Sequence, residues 1–175
     1  MNTKQDQEAR LRELENNGVG LVAFVRDFAT SDVASASEGY TTRSFNKVFD
    51  PFGLGIALDG GNGFKLPPGK WLLEARSMHY RARHKVVQFY NVTGGANTLL
   101  NVDGDSSLYF NQTTDDSVAS AHENHILEVT STMDIEVRVY TEQGTANGLS
   151  GGVLNVPEAG SNGSIVCEVK ITKIG

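Results

Sequence analysis

His79, Arg81, Arg83, His84 and Lys85 crowd into the stretch SMHYRARHKVV, residues 77–87, with Arg76 just upstream. Residues of these types at this spacing serve three chemistries: gripping phosphate, ligating a metal, or moving protons. Phosphate gripping on a single strand wants cations interleaved with aromatic rings on one face. Tyr80 is the only aromatic among them, and the chain offers no second basic patch. The whole chain carries 15 Lys and Arg against 21 Asp and Glu, a net charge of −6. A broad nucleic-acid surface is basic, so no nucleic-acid partner is expected, although a local basic patch remains.

The other candidate motifs fail on context. His122 and His125 in AHENH have the i, i+3 spacing of a helical metal pair. Their surroundings read as a strand, where the two side chains point to opposite faces. With no Cys or third His beside them, no zinc site is expected within one chain. A symmetric trimer would still gather three copies of one histidine at its axis. Gly148-Leu149-Ser150-Gly151-Gly152 matches the nucleophile elbow G-x-S-x-G. The elbow needs a helix after the serine and a histidine later in the chain. VLNVPEAG is no helix, and all four histidines precede Ser150, so this is a glycine-rich loop.

Gly18-x-Gly20-x-x-Ala23 opens a strand rather than a helix, the reverse of what pyrophosphate binding requires. Asn101, Asp103 and Asp105 alternate like the start of a calcium loop. However, Gly104 is fourth rather than sixth, and Gln112 stands where the bidentate Glu belongs, so NVDGDSS reads as a turn. Cys167, the lone cysteine, lies in an alternating apolar stretch and reads as a small buried hydrophobe. The expectation is therefore no catalytic residue, no cofactor and no metal. An enzyme of cupin type would need several histidines and a carboxylate converging in one barrel.

The elements that must carry these residues are mostly strands. A length of 175 residues allows one domain with an appendage. Nineteen glycines and four prolines imply many turns. Residues 3–17 form the one helix candidate, ended by Asn17-Gly18. Its apolar stripe, Ala9, Leu11 and Leu14, is too thin for an isolated helix, so it is expected to pack on sister chains or a larger assembly. Residues 1–18 are thus read as an attachment or trimerisation segment, with Leu11 and Leu14 as attachment candidates, and 19–175 as the β domain. The polar N-terminus lacks the apolar core of a secretory leader, and no run approaches the length of a membrane span, so synthesis in a cytosol and no membrane insertion are expected.

Strands are expected at 19–30, 41–50, 70–78, 84–92, around NTLLNV and LYFNQ, over SVASAHENHILEVTS and DIEVRVYTEQ, and in SIVCEVKITKIG. GLGIALDGGNGFKL is expected to be a glycine-rich turn, and LPPG (66–69) makes a tight turn. KWLLEARSM and HKVVQFYNV are expected to form a hairpin joined by HYRAR. DIEVRVY places Ile135, Val137 and Val139 on one face against Asp134, Glu136 and Arg138. SIVCEVKITKI places Ile165, Cys167, Val169 and Ile171 together. KWLL and KVVQFY are apolar on both faces, which suggests that one face meets another subunit. This pattern predicts an all-β, antiparallel jelly-roll sandwich preceded by a short helix.

GFKLPPGKWLLEARSMHYRARHKVVQFYNVTGG resembles a C-terminal domain of bacteriophage tail-fibre and other virion proteins, and is similar to the F-x-x-P-x-G-x-Y element of C1q- and TNF-like jelly rolls. The matching positions are Phe64, Leu66, Pro67, Gly69, Trp71, Tyr80, Arg83, His84, Phe89, Tyr90 and Asn91. Trp71 replaces the usual Tyr, and the glycine-rich stretch 144–163 departs from the pattern. The resemblance covers about residues 55–175. It implies a homotrimer on a virion surface: a head fibre, a capsid decoration protein or a tail-fibre tip. Its partners would be other virion proteins through the N-terminal segment and a glycan or protein of the host surface. It marks Trp71, Tyr80, Arg83, His84, Phe89 and Tyr90 as structural-motif or trimer-packing residues. The alternative is a non-viral C1q-like module for carbohydrate binding or surface adhesion.

Overall fold

The structure, a computed structural model, describes residues 18–29, 39–80, 82–100, 118–144 and 164–175. The strands are β1 (Val22–Ala29), β2 (Gly39–Thr42), β3 (Lys47–Phe49), β4 (Ala57–Leu58), β5 (Phe64–Leu66), β6 (Gly69–Tyr80), β7 (Ala82–Asn91), β8 (Thr98–Leu99), β9 (Val118–Val129), β10 (Met133–Gly144) and β11 (Ser164–Lys173). They build two antiparallel sheets. The first runs β3-β1-β11-β6-β9, and the second β4-β5-β10-β7-β8. Two short strands share one edge of β10: β5 pairs with Met133–Ile135 and β2 with Arg138–Thr141. The helix expected over 3–17, with Leu11 and Leu14, lies outside the described residues, as do LYFNQ, Asn101–Asp105 and Ser150.

The core follows from period-two alternation. Ala23, Val25, Trp71, Leu73, Ala75, Val169 and Ile171 face inward from the first sheet, and Phe64, Leu66, Val87, Phe89, Ile135, Val137 and Val139 from the second, all buried. The antiparallel jelly-roll sandwich expected from the sequence is the observed fold.

Four expectations change. The 41–50 strand is two strands in different sheets: β2 pairs with β10, β3 pairs with β1, and Arg43–Asn46 crosses between them. The glycine-rich stretch around residue 60 holds two short strands, β4 and β5, joined by a turn. There the Asp59 carboxylate accepts the Gly61 and Gly63 N–H groups at 2.7 and 3.1 Å.

Thirdly, β6 and β7 do not form a hairpin. β6 pairs with β11 and β9, and β7 with β10 and β8, so the chain crosses from sheet to sheet between Tyr80 and Ala82. Two apolar strands with a short connection look alike locally in a hairpin and at a sandwich corner. Here β6 has β11 on one edge and β9 on the other, while β7 pairs along its length with β10 and meets β8 only at Tyr90 and Asn91. Finally, Ile165 leaves the inner row. A register shift opposite Asp27 and Phe28 turns it outward to 37% exposure while Val166 is buried. One extra residue in a strand reverses which face every later side chain meets.

Candidate functional site

The LPPGKW motif is explained by packing. Pro67 presents its carbonyl to the Trp71 indole, which donates Nε1–H at 3.0 Å. Gly69 lies flat against that ring. A Cβ there would come within 3.1 Å of Nε1, and its φ of +149° is one that side-chain-bearing residues rarely adopt. Trp71 and Phe89 are buried within the sandwich, and Tyr90 faces outward from β7. Tyr80, Arg83 and His84 occupy strand positions in the basic stretch. Tyr80 stands opposite Val118, and His84 opposite Glu142.

The histidine pair behaves as strand geometry requires. His122 is exposed on the outer face of β9, while His125 lies half-buried near the Phe89 ring, centroids 6.5 Å apart. Among the described residues, no group of three His, Cys, Asp or Glu side chains is placed to hold a metal ion. Cys167 is fully buried, and burial pushes its thiol up to about 12. It is a packing residue rather than a nucleophile.

Beside it lies a buried polar cluster that the sequence did not announce. Arg43 is only 3% exposed. Its Nη1 stands 3.6 Å from Asp27 Oδ2, an ion pair rather than a good hydrogen bond. Its Nε and Nη2 have no hydrogen-bond partner. Asp27 also accepts the Ser44 N–H, yet burial outweighs both partners and raises its carboxyl. Ser77 Oγ is likewise unpartnered; its register neighbour is Cys167, whose thiol is a weak partner.

The two outer faces differ. On the first sheet one register row reads Val22, Thr172, Leu72, Ile126. Ile126 is 60% exposed on the edge strand β9, and Phe49 is 56% exposed at the opposite edge. Between these apolar groups Lys170 pairs with Glu74 and Arg26 with Glu168, each at 2.6 Å, while Lys70 and Arg76 are exposed on the same face of β6. On the second sheet the outer face is aromatic and polar. β10 presents Glu136, Arg138 and Tyr140, β7 presents Gln88 and Tyr90, and β2 presents Tyr40. The alternation of EVRVY already placed Tyr140 on the polar face, the one signal for this surface in the sequence. Its union with Tyr40 and Tyr90 depends on long-range register.

No family model matches the sequence, and no curated protein matches it. Solved structures do. Murine APRIL at pH 5.0 superposes with a TM-score of 0.53 at 12% identity, over 88% of this chain and 98% of that one. The globular domain of zebrafish complement 1qA gives 0.47 at 13% identity, over 89% and 98%. Eiger TNF from S. frugiperda gives 0.49 at 8% identity, over 90% and 94%. The likeness to murine APRIL shows the fold alone, an antiparallel jelly-roll sandwich.

Proposed function

We propose that this chain is a non-enzymatic structural protein that forms a homotrimer on the surface of a bacteriophage particle, as a head fibre, capsid decoration protein or tail-fibre tip. The observation that carries the trimer is the outer face of the first sheet. Val22, Leu72 and Ile126 stand in one register row there, with Thr172 between the first two, and the Arg26–Glu168 and Lys170–Glu74 pairs beside it are each internally neutralised. A half-exposed apolar row flanked by neutralised charge suits burial against a copy of itself. The viral part rests on the resemblance of residues 55–175 to virion domains, and on Leu11 and Leu14 as the residues that seat the trimer on other virion proteins.

Two measurements test the reading. Light scattering on the full chain is expected to give three times the mass of one chain; a monodisperse monomer overturns the trimer. Immunogold labelling of purified particles is expected to decorate heads or tails, and deletion of residues 1–17 to abolish the label. Unlabelled particles overturn the viral placement. In that case the outer-face tyrosines of the second sheet, Tyr40 exposed and Tyr90 and Tyr140 half-buried, favour the other reading, a C1q-like module for carbohydrate binding or surface adhesion.

A further inference from the structure

We propose that the outer face of the second sheet is a saccharide-binding platform for the backbone of a neutral hexopyranose chain. This deepens the surface-contact part of the proposed function and depends on neither the trimer nor the virion. Alternation sets Glu136, Arg138 and Tyr140 in a line along β10, successive side chains about 7 Å apart. Tyr40 stands beside Tyr140 in register, with ring centroids 5.0 Å apart and planes tilted by 53°. Gln88 stands beside Arg138, and Tyr90 beside Glu136. The platform therefore has an aromatic end at Tyr40 and Tyr140 and a polar end around Arg138.

The polar end is held rigidly before any ligand arrives. The Arg138 guanidinium lies over the Tyr90 ring, 4.1 Å from its centroid. Its Nε and Nη2 donate to Glu136 Oε2 at 3.1 and 2.8 Å, and its Nη1 donates to Asn97 Oδ1 at 2.6 Å. The Tyr90 hydroxyl donates to Gln88 Oε1 at 3.2 Å. A side chain braced on several sides loses little freedom on binding, which is where surface sites usually lose affinity. The Tyr40 phenol is raised in pKa, first by burial of its hydroxyl and then by the Tyr90 and Tyr140 phenols, and it stays a neutral donor. Its residue remains 55% exposed.

The ligand class follows from this mixture. Aromatic rings offer flat apolar contact, which matches the C–H faces of a pyranose ring. Planar guanidinium, carboxylate and amide groups offer paired donors and acceptors, which match its hydroxyls. Glu136 cancels the charge of Arg138, so neither a polyanion nor a polycation is favoured. The face is a sheet rather than a cleft, so it suits a chain lying across it rather than a chain end inserted into it. Tyr and Arg also anchor contacts between proteins, so a contact between copies of the chain is the alternative that the test separates.

The test is an array of immobilised neutral polysaccharides from bacterial, fungal, plant and animal sources probed with the full chain, followed by calorimetry with oligosaccharides of the best binder. Tyr40→Ala and Arg138→Ala are each expected to weaken binding at least tenfold. Tyr40→Phe, which keeps the ring, should retain most of it. Two results overturn the inference. One is no binding to any polysaccharide on the array, or binding that Tyr40→Ala leaves unchanged. The other is a change in oligomeric mass on Tyr40→Ala, which makes this face a contact between copies of the chain. Unlabelled particles together with Tyr40-dependent glycan binding would sink the viral reading and leave this one standing.

Discussion

Ile126→Glu separates assembly from folding. Ile126 lies on β9, the edge strand of the first sheet among the described residues, beside Leu72 in register and 60% exposed. Burying an isoleucine fully is worth about 1.5–3 kcal/mol. Over half of that area is still in water in the single chain, so assembly stands to gain about 1–2 kcal/mol per copy. Three copies bring about 3–5 kcal/mol to the trimer, before the cost of desolvating the new carboxylates. Every 1.4 kcal/mol is tenfold, so the trimer–monomer equilibrium should move by more than a hundredfold. An exposed edge position tolerates substitution within about 0.5 kcal/mol, so the isolated domain should stay folded. Light scattering over a dilution series reads the first effect. Urea unfolding, in conditions where the wild type is itself dissociated, reads the second. An Ile126→Glu protein that stays trimeric at every concentration at which the wild type does refutes the assignment of this face.

Three further outcomes follow from the interior. Asp27→Ala strands a buried Arg43 and is expected to cost about 3–5 kcal/mol in urea unfolding, whereas Asp27→Leu with Arg43→Met together should restore most of it; equal losses in both variants would show that the pair is not what matters. Burial raises the Cys167 thiol from an ordinary 9.0 to about 12. The native state therefore keeps its proton at pH values where the unfolded chain loses it. This contribution to stability is complete below pH 9 and declines as pH rises toward 12. Cys167→Ala should show a smaller loss of urea midpoint between pH 8 and 11 than the wild type, and parallel slopes would contradict the burial. A Cβ on Gly63 would overlap the Ile135 carbonyl oxygen and stand 2.8 Å from Asp59 Oδ2. Gly63→Ala should cost about 1–3 kcal/mol by overpacking, and an unchanged melting temperature counts against the observed approach of the two segments.

The sandwich was legible where one strand's own sequence decides which side faces in. Ile135, Val137 and Val139 alternate without interruption, and all three are buried. It was illegible where the decision belongs to distant partners. Nothing local in TTRSFNKVFD says that its first residues pair with β10 and its last with β1. Nothing in KWLLEARSM and HKVVQFYNV says that β11 and β10 outcompete a hairpin. The bulge that turns Ile165 outward depends on Asp27 and Phe28, far away along the chain. The two outer faces escaped for the same reason. Val22 and Ile126, like Tyr40 and Tyr140, are brought together only by register, and a half-exposed apolar residue reads in a sequence as one more core position.

The arrangement of the two faces bears on how a small module binds a surface firmly. They lie on opposite sides of one core, so the proposed contact between subunits on the first sheet would leave the tyrosines of the second uncovered. The proposed trimer would then carry three identical copies of the proposed platform at fixed positions. A flat, exposed site of this size binds one saccharide chain weakly, since much of its contact stays in water. Binding of a second and third platform to a repeating polysaccharide is intramolecular, and such linkage multiplies apparent affinity by about 10²–10⁴ without any new contact. The charge pattern fits that arrangement. Lys170, Glu74, Arg26 and Glu168 are paired within the first sheet, so the subunit contact need not rely on charges across it. The neutral Arg138–Glu136 pair leaves the second sheet free to meet an uncharged polymer. On this reasoning Ile126→Glu leaves the affinity for a short oligosaccharide intact while collapsing retention on the intact polysaccharide, because it removes valency and leaves the platform untouched.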